Sequence, residues 1–131
     1  MENIKKATLL VTGLAAQKFQ QEIKDEQEVL MSMADMLIHL YIYESALLRS
    51  LKHQDSATST VRAEMVEVLM HETAEKLLSS TKEVIYACSE KDQALPNLKA
   101  IQRLYQLPPA NLKEIRRNIA NYFINENKYQ L

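Results

Sequence analysis

Asp35 and His39, and again Glu67 and His71, stand four residues apart, the spacing that sets an acid and an imidazole on one helical face. Two such pairs invite a metal-site reading. Carboxylate di-iron bundles, however, use Glu-x-x-His on two helices plus a glutamate from each of two others, and neither pair has that three-residue spacing. An ion pair or hydrogen bond is the expected role of each. The run His71-Glu72-Thr73-Ala74-Glu75 begins like a zinc-protease helix but places Glu75 where the second histidine belongs. Glu44 and Glu72 fall within apolar seams. Two seam carboxylates with divergent pKa values can form a general acid–base pair, but more often such groups reach a basic or tyrosine partner such as Tyr41 or Tyr43, or snorkel to the rim. The lone Cys88, near the C-terminal end of a helical stripe, lacks the helix N-terminus that lowers a thiol pKa and reads as a small core residue. No catalytic, cofactor-binding or metal-ligating residue is assigned.

The single glycine, Gly13, removes further chemistries. A P-loop, a G-x-G-x-x-G dinucleotide turn and a G-x-S-x-G nucleophile elbow each need at least two glycines. One cysteine forbids an intrachain disulfide and fits a reduced, cytoplasmic setting. No stretch reaches the ~18 uninterrupted apolar residues of a membrane span. The net charge of −1 conceals a gradient, with residues 91–131 carrying seven basic and three acidic groups. Lys99, Arg103, Lys113, Arg116 and Arg117 are diluted by apolar positions, so they read as a solvated face and no nucleic-acid partner is expected.

These residues must be positioned by helices, because the apolar period stays near 3.6 throughout the 131 residues and no run alternates like a strand. The expected fold is all-α: an antiparallel up-and-down bundle of four to five helices over one domain, 1–131, with a long central hairpin. A first helix over about 3 to 23 sets Ile4, Ala7, Val11 and Leu14 on one stripe, continued by Phe19 and Ile23. Gly13 within it predicts close approach of a neighbouring helix. Asp25 is the expected N-cap of a second helix, with Glu28 closing a capping box, and that helix runs to about Lys52. A third helix spans about 60 to 89. Pro96 suits the first turn of a short fourth helix with Leu95, Leu98, Ile101 and Tyr105 on one face, ended by Pro108 and Pro109. Asn111 with Glu114 caps a fifth, whose stripe is Leu112, Ile115, Ile119, Tyr122 and Phe123.

The second helix stands apart. Between Val29 and Tyr43 only Ser32, Asp35 and His39 are polar, on one narrow stripe. A helix apolar almost all round is enclosed, either as the central helix of its own bundle or through a docking face for a second copy or another protein segment. Met31, Met36, Ile38 and Ile42 are the candidate docking residues.

The string Asp25-Glu26-Gln27, Leu30, Ala34-Asp35, Ile38 and Leu40-Tyr41 resembles the second helix of the extra C-terminal helical domain in bacterial acyl-CoA dehydrogenases of the very-long-chain type. Ala15-Ala16-Gln17-Lys18-Phe19, Pro108-Pro109-Ala110-Asn111 and the closing Lys128-Tyr129-Gln130-Leu131 extend the resemblance along nearly the whole chain. It implies a flavoprotein context, in which FAD and a glutamate base oxidise the Cα–Cβ bond of a fatty acyl-CoA and pass electrons to an electron-transfer flavoprotein. In the family that chemistry lies in the larger dehydrogenase core. No residue here matches the catalytic glutamate or the FAD-binding positions, so none is carried over. The implied role is noncatalytic packing on the dehydrogenase core of the same chain, in a homodimer and in some members with membrane attachment. The alternative is a free-standing helical adaptor or dimerisation module.

Overall fold

The computed structural model describes residues 1–129 and 131. They form five α-helices and no strand among the described residues: α1 (Glu2–Phe19), α2 (Gln27–Lys52), α3 (Ser59–Cys88), α4 (Lys91–Tyr105) and α5 (Leu112–Glu126), with a 3-10 segment over Gln20–Asp25. Two compact units divide the chain: Met1–Tyr41 with Thr73–Gln106, and Ile42–Glu72 with Leu107–Leu131.

In the first unit α1 packs on α4. Ile4, Ala7, Thr8, Val11 and Ala15 are the buried stripe of α1, and Ala94, Leu98, Ile101 and Tyr105 that of α4. Thr73, Ala74, Leu77, Thr81, Val84 and Ile85 of α3 and Val29, Ser32 and Met36 of α2 are also buried in this unit. Its buried hydroxyls are satisfied locally or across helices: Thr8 Oγ1 donates to the Ile4 carbonyl at 3.0 Å, and Thr81 Oγ1 shares a 3.1 Å hydrogen bond with the Tyr105 hydroxyl. Burial raises the Tyr105 pKa, the hydrogen bonds of Thr81 and Thr8 offsetting part of the rise.

The second unit is more lightly packed. Tyr43 and Val61 are its buried apolar residues, and α5 has none. Burial likewise raises the Tyr43 pKa. Polar contacts attach α5 to α3: Arg116 Nη2 donates to Glu72 Oε1 at 3.0 Å, and Asn118 Nδ2 to Glu64 Oε1 at 3.1 Å. The α5 cap forms at Asn111, whose side-chain oxygen accepts the Glu114 N–H at 3.3 Å while its amide donates to Glu114 Oε2 at 3.1 Å.

Four local expectations are corrected. Helix α1 stops at Phe19 because Gln20 turns to φ 46°, ψ −119°, a backbone region that favours glycine, so Ile23 lies in the 3-10 segment. The N-cap place of α2 falls on Glu26, whose carbonyl accepts the Leu30 N–H, and Asp25 closes the 3-10 segment; Glu28 thereby moves out of capping-box register. Helix α4 begins before Pro96, which sits in its second turn, and Leu95 is exposed while Ala94 takes the inward position. A methyl group on Gly13 would meet nothing within 4 Å, so no helix approaches it closely.

Candidate docking face and ionisable residues

Helix α2 turns Val29, Ser32 and Met36 inward in the first unit, and Tyr43 in the second. These positions recur at the helical period and so define one face. Ser32 Oγ donates to Glu83 Oε2 at 2.8 Å, which joins that face to α3. Met36 is completely buried and belongs to this core. It therefore leaves the candidate docking set, because a side chain already enclosed by its own chain offers no area to a partner.

Met31 and Ile38 lie on the other side, 67% and 54% exposed, and Ile42 of the second unit is also exposed. Leu37 and Tyr41 join Met31 and Ile38 there, with Leu30 at the margin of exposure. Sequence reasoning missed Leu37 and Tyr41 although they obey the same period. On a helix apolar all round, periodicity does not say which side faces the core.

The ionisable candidates do not converge. Asp35 is exposed and His39 half-buried, while Glu67 and His71 are both half-buried. Among the described residues no group of three or more His, Cys, Asp or Glu is placed to hold a metal ion. Glu44 is half-buried, and Glu72 pairs with Arg116 instead of a tyrosine. Burial is the largest influence on the half-buried Cys88 and pushes its thiol pKa up; Lys18 lowers it and Glu26 raises it. A raised pKa leaves less thiolate, the nucleophilic form.

The second unit holds residues that the sequence did not single out. Arg62 is only 9% exposed, and its Nε donates to Thr58 Oγ1 at 2.8 Å. It lines a cleft of about 290 Å³ with Ala46, Arg49, Ser50, Met65, Val66, Tyr129 and Leu131. Two of these residues, Tyr129 and Leu131, follow the end of α5. Asn127 adopts a left-handed conformation at φ 48°, and Tyr129 returns to stack on Phe123 with ring centres 5.3 Å apart. The missed signal was a basic residue, Arg62, next to the inward-facing Val61.

The one glycine, Gly13, lies exposed within α1. No described helix is long and apolar enough to cross a membrane.

A family model described as the acyl-CoA dehydrogenase C-terminal domain matches residues 3–103. A probable acyl-CoA dehydrogenase of Bacillus subtilis (strain 168) is 30% identical over 132 residues, covering 98% of this chain and 22% of that protein. The crystal structure of an acyl-CoA dehydrogenase complexed with FAD from Bacillus anthracis matches with a TM-score of 0.92 at 30% identity, covering 99% of this chain and 23% of that one. The chain thus spans less than a quarter of the length of these relatives.

Proposed function

The chain belongs to the acyl-CoA dehydrogenase C-terminal domain family, and from that membership we propose that it is a noncatalytic packing and dimerisation domain of an FAD-dependent acyl-CoA dehydrogenase of fatty-acid β-oxidation. In this reading residues 1–131 act as one helical domain, and FAD and the reacting acyl-CoA are held by the dehydrogenase core. The observation that carries the reading is the open apolar side of α2, where Met31, Leu37, Ile38 and Tyr41 are exposed together. Apolar surface gathered in one patch marks a contact with protein or membrane. The occupant that fits is the dehydrogenase core, since more than three quarters of each relative's length lies outside the matched segment.

The test begins with the reading frame that encodes these residues. An in-frame flavin core upstream supports the proposal, and a free-standing gene overturns it in favour of an adaptor. In the full-length enzyme, Leu37→Glu with Ile38→Glu is expected to loosen the domain from the core, lowering FAD retention and with it the dimer fraction seen by light scattering, because unpaired charge in an apolar interface is costly. An unchanged dimer with unchanged FAD retention overturns the docking role of this face.

A further inference from the structure

Gly13 is the only glycine of the chain and stands in the middle of α1. A glycine inside a helix is less favourable than alanine, because it gives the unfolded backbone more freedom and brings no side chain to pack. Such a position is explained when another backbone comes too near to admit a Cβ. Among the described residues nothing lies within 4 Å of the place a Cβ would take, so this chain does not supply that neighbour.

The place of Gly13 on α1 is specific. At about 100° per residue it lies directly opposite Ile4, and so opposite the stripe of Ile4, Val11 and Ala15 that α1 buries in the first unit. Leu9 and Leu10 flank it on that outward face, 68% and 53% exposed, and the exposed Ala16 extends the face by a turn. Polar groups close both ends: the Lys6–Glu2 ion pair at 3.1 Å on one side and the exposed Gln17 on the other. Two leucines in water beside a bare stretch of backbone, rimmed by polar groups, have the make-up of a packing contact.

The matched family model describes a C-terminal domain, and more than three quarters of each relative lies outside the matched segment. In a chain of that organisation the dehydrogenase core leads into α1, the first helix of the domain. Leu9 and Gly13 stand only about 10 and 17 Å along the helix from Glu2, at 1.5 Å rise per residue. A face this near the point of attachment sees the core at high effective concentration, ahead of any separate molecule.

We infer that the outward face of α1 is crossed by an apolar segment of the dehydrogenase core, whose backbone closes on Gly13 while Leu9 and Leu10 pack beside the crossing. The inference rests on the packing role proposed above and adds a contact on α1 to the one on α2.

Leu9→Cys reports the contact through its rate of maleimide labelling, read on the α1 peptide by mass spectrometry. The rate in the full-length enzyme is expected to be at least about ten-fold below that in the 131-residue chain, where Leu9 is exposed. Adding Gly13→Leu is expected to bring the enzyme's labelling to within about two-fold of the chain's rate, since a branched side chain at the crossing prevents the approach. The same substitution is expected to raise the melting temperature of the 131-residue chain by a few degrees, because leucine is the better helix former and its Cβ meets nothing there. Protection of Leu9→Cys that survives Gly13→Leu overturns the inference. Protection in the 131-residue chain that grows with its concentration makes a second copy the occupant and overturns the assignment to the core. A reading frame without a flavin core overturns the packing role and the inference together, whereas an in-frame core with Leu9→Cys labelled at the chain's own rate overturns the inference alone.

Discussion

Ser32 Oγ donates to Glu83 Oε2 at 2.8 Å, so the only hydroxyl among the inward positions of α2 in the first unit is held by a carboxylate of α3. The bond decides more than its own energy, because it sits on the side of α2 that carries Val29 and Met36 and so directs the opposite, apolar side to solvent. Ser32→Ala removes a donor to a solvent-exposed carboxylate and is expected to cost about 0.5–1.5 kcal/mol, read from urea unfolding midpoints. An unchanged midpoint would show that the bond does not hold the helix.

Met36 and Ile38 differ by two positions and by their whole environment, one fully buried and the other 54% exposed. Met36→Ala is expected to destabilise the chain by about 2–5 kcal/mol through the cavity it leaves. Ile38→Glu is expected to change stability by no more than about 0.5 kcal/mol while reducing self-association. Circular dichroism melts with light scattering check both. Reversal of the two effects would mean that α2 is rotated.

Gln20 ends α1 at φ 46° and ψ −119°, where a Cβ is strained and glycine is not. Gln20→Gly is expected to stabilise the folded chain by about 1 kcal/mol, less the extra freedom that glycine brings to the unfolded state. The melting temperature should rise by a few degrees. A fall would place Gln20 in an ordinary conformation.

Tyr105 is buried against Thr81, and its pKa stands above the ordinary value of 10.0 chiefly through desolvation. A raised folded-state pKa means that its contribution to stability is fully present below pH 10 and is lost as pH rises through the folded-state value. Tyr105→Phe is expected to cost about 0.5–1.5 kcal/mol near neutrality through the lost hydrogen bond. Above pH 10 the gap between wild type and variant should narrow, because the variant has no phenol to ionise. Denaturant titrations at neutral and alkaline pH measure both, and a constant gap would contradict the burial-driven shift.

Local patterns in the sequence determined the elements. An apolar period near 3.6 and a scarcity of glycine specify helices wherever they occur, since both act on neighbours within a turn or two. The Asn111–Glu114 cap was legible for the same reason, as its partners stand three residues apart and meet in any helix begun there. The same locality explains the family resemblance, which rests on strings along one chain. Tertiary structure alone decided which side of α2 is inside, because Met36 and Ile38 are equally apolar and only packing on α3 separates them. It also decided that Pro96 lies in the second turn of α4 with Ala94 inward, and that Glu72 meets Arg116 from forty-four positions away. Arg62 became notable only once folding covered most of it and bonded its Nε to Thr58, a consequence of burial that residue spacing alone did not reveal.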